Sequence, residues 1–125
     1  MLDLMPGGYY YLASPYSSDT KAQETVRYGE AMRYAEGLLR QDILVFSPIV
    51  HYHPMSRIYG LPGDAASWQR RNKVYLRQSS GVIVACIPGW DKSKGVAWEI
   101  EYAQKYVMPL YKATTEHGRI YLSRF

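Results

Sequence analysis

Residues 81–87, GVIVACI, form an apolar run that predicts a strand without a charged side chain on either of its faces. A strand of this kind is typical of a parallel sheet whose two faces are both covered. Other strand-like segments occur at 9–17, 43–50 and 107–112, and 119–122 resembles a fifth. Helical patterns lie between them, at 19–41, 67–79 and 93–106. The alternation predicts an α/β fold with a mainly parallel sheet of four to five strands.

The size and composition of the chain suit one domain. Its 125 residues are 47% hydrophobic, so we expect a single core and a single domain over 1–125. The first residues lack the features of a signal peptide, and no stretch reaches the ~20 apolar residues that span a membrane. We therefore expect a cytoplasmic protein with no membrane partner. One cysteine, Cys86, and three histidines do not suffice for a structural zinc site, so no metal is predicted.

The charge of the chain fits two classes of ligand. A net charge of +4 and a pI of about 9.2 suit a small phosphorylated ligand or a weak attraction to nucleic acid. Arg70, Lys73 and Arg77 share one helical face, but no nucleic-acid-binding motif accompanies them, so we expect a solvated face and no nucleic-acid partner. The chain lacks a Walker lysine and a complete Gly-x-Gly-x-x-Gly pattern, which argues against ATP or NAD binding.

Three polar loops, at 14–18, 47–54 and 89–95, follow predicted strands. In such sheets ligands bind beyond the carboxyl ends of the strands, so these loops are the expected binding region. The candidate substrate-binding residues in them are Ser14, Ser17 and Ser18, then His51 and His53, and finally Trp90. We expect both histidine rings on one side of an irregular loop at 51–67, contacting a base or a phosphate, or else capping local backbone. Trp90 offers a ring on which a base stacks.

Glu99 is an acidic residue among small and apolar neighbours in PGWDKSKGVAWEIEYA, residues 88–103. Ser93 is a suitable N-cap for the following helix, whose first amides are then free to bind an anion. Gly95 and Glu99 share one side of this helix, so Glu99 projects over a position without a side chain. About 9 Å of helix rise separates Ser93 from Glu99, which matches the span from phosphate to anomeric carbon in a nucleotide. The alternative is a solvated glutamate paired with Lys105.

Three segments, YLASPYS, SPI and PGWDKSKGVAWEIEYA, resemble the nucleoside 2-deoxyribosyltransferase superfamily. The resemblance is closest to its nucleoside 5′-monophosphate N-glycosidase branch and to a related family of small bacterial and phage proteins, and it covers residues 9–112. It implies a flavodoxin-like, Rossmann-like three-layer domain. It also implies a homodimer or homotetramer in which a neighbouring subunit completes the site, a nucleoside or nucleotide as substrate, and no cofactor.

The resemblance also implies roles for individual residues. Glu99 matches the nucleophile that attacks the anomeric carbon and displaces the base, forming a glycosyl-enzyme that passes to water or to a second base. Tyr11 matches the tyrosine that orients this nucleophile. Ser93 matches a phosphate-binding serine, and Ser14, Ser17 and Ser18 match the loop that completes the phosphate or sugar pocket. The implied activity is cleavage of the bond between base and sugar in a (deoxy)nucleoside 5′-monophosphate or nucleoside.

Two features depart from the patterns of related enzymes. Asn72 stands where the superfamily commonly has an aspartate that helps protonate the leaving base, and an amide does not transfer a proton in that way. Asp64 and Asp91 are alternative acids on loops, and a nucleotide-binding module without catalysis is the alternative function. A phosphoribohydrolase fits less well, because Val96 replaces the threonine of the Pro-Gly-Gly-x-Gly-Thr-x-x-Glu pattern.

Overall fold

The structure is a computed structural model that describes residues 7–125, so the first six residues of the predicted domain lie outside the described part. Its elements are, in order, β1 (Tyr10–Ala13), α1 (Lys21–Arg40), β2 (Val45–Phe46), α2 (Pro48–Tyr59), α3 (Ala65–Gln78), β3 (Val82–Ala85), a 3₁₀ helix (Trp90–Lys92), α4 (Lys94–Lys105), β4 (Leu110–Glu116) and β5 (Arg119–Arg124). Within residues 7–125, none of the helices combines the length and apolar character needed to cross a membrane.

The five strands form one mixed sheet in the order β2-β1-β3-β4-β5. The first three pairs are parallel, whereas β4 and β5 are antiparallel. The antiparallel pair is joined by His117 and Gly118, both at positive φ, as a two-residue hairpin turn of type I′ requires. The α/β prediction is therefore confirmed, with an antiparallel edge strand on a mostly parallel sheet.

Helices cover both faces of the sheet and produce three layers. Along β1, Tyr10 and Leu12 point to the face covered by α1, where Ala31, Tyr34, Ala35 and Leu38 are buried. Tyr11 and Ala13 point to the opposite face, where they pack with side chains from α3 and α4. The side chains of β3 alternate in the same way, and all four are fully buried. This explains the wholly apolar run from which the prediction began.

The region after β2 differs from the prediction, because α2 occupies much of the segment expected to be an irregular loop. Ser47 caps this helix by accepting a hydrogen bond from Val50 N at 3.2 Å, and Pro48 stands at the first helical position. Proline is favoured there because its missing N–H would have no partner in the helix. The helix therefore begins at Pro48, inside the strand expected at 43–50, and it runs through Pro54 in the segment expected to be a loop.

Candidate active site

A cavity of about 640 Å³ lies beyond the carboxyl ends of β1 and β3. The chain connections diverge between these two neighbouring strands, because β1 leads to β2 on one side and β3 leads to β4 on the other. Ligands of open α/β sheets bind at such a switch point. The walls come from the loop after β1, the beginnings of α2 and α3, and the segment from Gly89 to the first turns of α4.

Glu99 lies at the inner side of this cavity. It occupies the buried stripe of α4 between Val96 and Ala103, so its side chain points towards the sheet and is only 5% exposed. There it meets Tyr11, which faces the same side of the sheet from β1, and the Tyr11 hydroxyl donates a hydrogen bond to Glu99 Oε2. The alternative of a solvated glutamate paired with Lys105 is therefore wrong. The structure brings Glu99 and Tyr11 together across two elements, as the resemblance implied.

Burial changes the acidity of both partners. Loss of solvation raises the pKa of Glu99 to about 8, and the hydrogen bond from Tyr11 only partly opposes this rise. Burial also raises the pKa of Tyr11 well above its usual value, with the nearby Glu99 adding to the effect. Tyr11 therefore stays a hydrogen-bond donor, while Glu99 changes its charge within a range of pH that proteins tolerate. A carboxyl group of this kind in a cavity is a candidate for catalysis.

The first turn of α4 lines the cavity beside Glu99. Ser93 is its N-cap, and Ser93 Oγ accepts a hydrogen bond from Val96 N at 3.2 Å. Gly95 is open on its cavity side, since an added Cβ would have only Ser93 Oγ within 4 Å, at 3.8 Å. Lys92 and Lys94 flank the cap and also line the cavity. The open space expected over Gly95 is present, and the two lysines are its neighbours in the sequence.

The serine loop after β1 contributes two of its three predicted residues. Ser14 and Ser17 line the cavity, and Ser14 is only 7% exposed. Ser14 Oγ has no hydrogen-bond partner among the described residues. Ser18 lies outside the lining, where its backbone N–H donates to Glu24 at the start of α1.

The structure corrects the expected positions of the two histidines. His51 and His53 lie on α2 and not on an irregular loop, so residues two apart point in different directions. His51 is exposed and packs near Phe46 and Tyr52, outside the cavity lining. His53 is buried, and burial lowers its pKa. The expectation that both rings lie on one side is therefore wrong, because side chains two residues apart share a side in extended chain and not in a helix.

His53 reaches the cavity only through another residue. Its Nδ1 and the Tyr16 hydroxyl are 2.7 Å apart and share a hydrogen bond, and its ring stacks on Tyr28. Tyr16 itself lines the cavity. His53 thus supports the wall of the cavity.

Asn72 and Trp90 also lie outside the cavity lining. Asn72 is fully buried on α3, one turn beyond the lining residues Trp68 and Gln69, and neither polar atom of its amide has a partner in the described part of the chain. Trp90 lies in the 3₁₀ helix, with its ring edge-on to Phe125. The aromatic rings that line the cavity are those of Tyr16, Trp68 and Trp98.

Neither alternative acid is placed to replace a proton donor. Asp64 caps α3 by accepting a hydrogen bond from Ser67 N at 3.1 Å, and this interaction with Ser67 lowers its pKa. Asp91 is exposed in the 3₁₀ helix, and neither aspartate lines the cavity. Across residues 7–125, no three His, Cys, Asp or Glu side chains form a group able to hold a metal ion.

Arg27 is the main residue that the sequence analysis missed. It lies on α1, four residues before the buried Ala31, and it lines the cavity. An arginine in register with the buried side of a helix was the available signal. Trp68 was missed for another reason. The helix was expected to begin near residue 67, whereas α3 begins at Ala65. The sequence therefore did not show that the Trp68 ring faces the cavity.

Fold and site together define a doubly wound α/β protein with a cavity at its topological switch point and a buried acid that lines this cavity. Residues 8–113 match the family described as a domain of unknown function, DUF1937, and the chain belongs to this family. No curated protein matches the chain.

Proposed function

We propose that the protein is an N-glycosidase that cleaves the bond between base and sugar in a (deoxy)nucleoside 5′-monophosphate or nucleoside. The observation that carries the proposal is the buried Glu99, which receives a hydrogen bond from Tyr11 and borders a cavity of about 640 Å³. A volume of this size suits a small-molecule ligand. A carboxyl group held by one donor, with its second oxygen available, fits a nucleophile better than a structural acid.

In the proposed reaction, the Glu99 carboxylate attacks C1′ of the sugar. The bond between C1′ and the base nitrogen breaks, its electron pair leaves with the base, and a glycosyl ester forms on Glu99. The base takes up a proton from solvent. Water then attacks C1′, loses a proton, and returns the carboxylate with retention at the anomeric carbon; a second base attacking in place of water gives a deoxyribosyltransferase. Tyr11 holds the carboxyl group in position throughout.

The remaining lining suits the other parts of a nucleotide. Trp68, Trp98 and Tyr16 supply rings against which a planar base packs. Arg27, Lys92 and Lys94 make the cavity cationic, which favours an anionic ligand. Ser14, Ser17 and Ser93 add hydroxyl groups around the same space.

The second candidate is a nucleotide-binding module without catalysis, and Asn72 favours it. General acid assistance is typically worth about 10²- to 10⁴-fold in rate, and an amide does not supply it. This version predicts that calorimetry detects nucleotide binding without turnover. Asn72→Asp would then produce new release of base.

The direct test is a chromatographic assay for free base with a panel of nucleosides and their 5′-monophosphates. We expect at least one of them to release base, and Glu99→Ala to abolish the release, because no other lining residue replaces the nucleophile. Glu101→Ala is the matched control, since Glu101 is an exposed acid on the same helix. Release at an unchanged rate in Glu99→Ala would exclude the mechanism. Wild-type protein that binds nucleotides without releasing base would favour the binding module.

We further propose that the protein acts in the cytoplasm as a homodimer or homotetramer whose neighbouring subunit helps to close the cavity. Cys86 is a free thiol, which suits a reducing compartment. The opening of the cavity towards solvent leaves room for a neighbour to contribute. Sedimentation equilibrium tests the assembly, and a monomer that retains full activity would contradict it.

A further inference from the structure

Two buried polar atoms of cavity-lining residues have no hydrogen-bond partner among residues 7–125. They are Arg27 Nε on α1 and Ser14 Oγ at the end of β1. Buried polar groups are almost always hydrogen-bonded, so each such group calls for a ligand or an ordered water. Arg27 Nε only donates and the Ser14 hydroxyl is able to donate, which suits a ligand rich in acceptor atoms.

The guanidinium of Arg27 is held in place by two loops. Its Nη1 donates to the carbonyl oxygens of Tyr16 and Ser17, in the loop after β1. Its Nη2 lies against the backbone of Gly89, in the loop after β3, because a Cβ added at Gly89 would be 2.8 Å from that nitrogen. Gly89 also has a φ of +95°, where a side chain is strained. Arg27 is thus fixed at the switch point between β1 and β3.

No carboxylate neutralises Arg27 within the described residues. The two ion pairs there join Arg40 to Glu36 and Arg57 to Glu24. The acid in the lining of the described cavity is Glu99, whose raised pKa keeps it largely uncharged at neutral pH. The positive charge of Arg27 is therefore available to a ligand.

We propose that Arg27, together with Ser14, binds the 5′-phosphate of the substrate and makes the protein selective for nucleoside 5′-monophosphates over nucleosides. A phosphate accepts charge-assisted hydrogen bonds from a guanidinium, and these are about twice as strong as neutral ones. The N-terminal end of α4 and the lysines beside Ser93 add positive charge around the same cavity. This proposal rests on the proposed nucleotide substrate and names the group that selects it.

The test compares ligands that differ only in the phosphate. Calorimetry would give the affinities of wild-type protein and Arg27→Gln for each nucleoside and its 5′-monophosphate. We expect Arg27→Gln to reduce the preference for the monophosphate by about 10- to 100-fold. Arg27→Lys should restore part of the preference, because it keeps the charge and loses the planar fork. Arg33→Gln, an exposed change of the same charge on the same helix, should leave the preference unaltered.

The outcomes separate this proposal from the proposed activity. If Arg27→Gln lowered the affinity for the nucleoside and for the monophosphate equally, Arg27 would only support the loop, and the proposal would be overturned. Wild-type protein that binds nucleosides as tightly as monophosphates would overturn it too. If the preference for the monophosphate depends on Arg27 while no base is released from any ligand, the phosphate site is supported and the proposed N-glycosidase activity is excluded.

Discussion

Glu99 combines two properties that are rarely found in one acidic residue. It is almost fully buried, and its hydrogen-bond partner within the described residues is the single hydroxyl of Tyr11. An acid kept only for stability would be expected to have a cation or several donors around it, because burying an unpaired charge is costly. Its raised pKa, about 8, follows from this lack of compensation.

The first prediction at this scale concerns stability. The folded protein holds a proton on Glu99 up to about pH 8, whereas the unfolded chain loses it near the ordinary value of 4.5. Between these values the folded state binds more protons, so the free energy of unfolding falls as pH rises, by up to about 1.4 kcal/mol per pH unit. Glu99→Gln should remove this slope. Urea unfolding at several pH values between 5 and 9 measures it.

Glu101→Gln is the control for this measurement, because the side chain is exposed on the same helix. It should keep the slope of the wild-type protein. The same slope in wild-type protein and Glu99→Gln would show that Glu99 does not carry the shifted pKa.

The same ionisation predicts the pH dependence of catalysis. The attacking form of Glu99 is the carboxylate, which is the minor form below a pKa of about 8. The rate of base release at low substrate concentration should therefore rise about tenfold per pH unit below pH 8 and level off above it. A rate that falls over this range would indicate instead that the protonated form of Glu99 is required.

At the scale of single elements, the first turn of α4 offers a sharp test of the open space over Gly95. Gly95→Ala should stabilise the helix by up to about 1 kcal/mol, since alanine is the better helix former and the new Cβ meets only Ser93 Oγ at 3.8 Å. Because Gly95 lines the cavity, the same Cβ should weaken nucleotide binding. Thermal unfolding and calorimetry measure the two effects.

Gly29→Ala is the matched variant, because Gly29 lies within α1 with nothing within 4 Å of an added Cβ. It should stabilise the protein to a similar degree and leave nucleotide binding unchanged. Unchanged binding in Gly95→Ala would mean that the ligand does not approach the first turn of α4.

The sequence predicted the class of the elements better than their bounds. The buried strands β1 and β3, and helices α1, α3 and α4, have patterns strong enough to be found from local sequence. The two-residue β2 and the proline-initiated α2 lack such patterns, because their bounds depend on tertiary packing. Equally, the antiparallel direction of β5 follows from the turn at His117 and Gly118, which the pattern of residues 119–122 does not contain.

For the site, the sequence was sufficient to relate residues that lie on one element. It was not sufficient for residues whose positions depend on the packing of several elements. Ser93, Gly95 and Glu99 share α4, so helical spacing was enough to relate them. Arg27 and Trp68 enter the cavity from other helices, and their directions depend on how α1 and α3 pack on the sheet. The loop expected for His51 and His53 is instead part of α2, and the helix sets the direction of each ring.

At the scale of the whole molecule, the candidate site needs residues from both faces of the sheet and from both sides of the switch point. Tyr11 comes from β1, Glu99 from the helix after β3, and Arg27 from the helix after β1. The burial that raises the pKa of Glu99 is therefore a property of the assembled fold. This arrangement places an acid, a cationic region and aromatic rings around one cavity.

The most direct test of the central claim is to identify the residue that becomes glycosylated. Fluorine at C2′ disfavours positive charge at C1′, slows both displacements, and lets a glycosyl-enzyme accumulate. Wild-type protein incubated with 2′-fluoro nucleoside 5′-monophosphates should release about one equivalent of base, and peptide mass spectrometry should find the sugar phosphate on Glu99. Repeated release of base without an adduct, or an adduct on any other residue, would contradict the account.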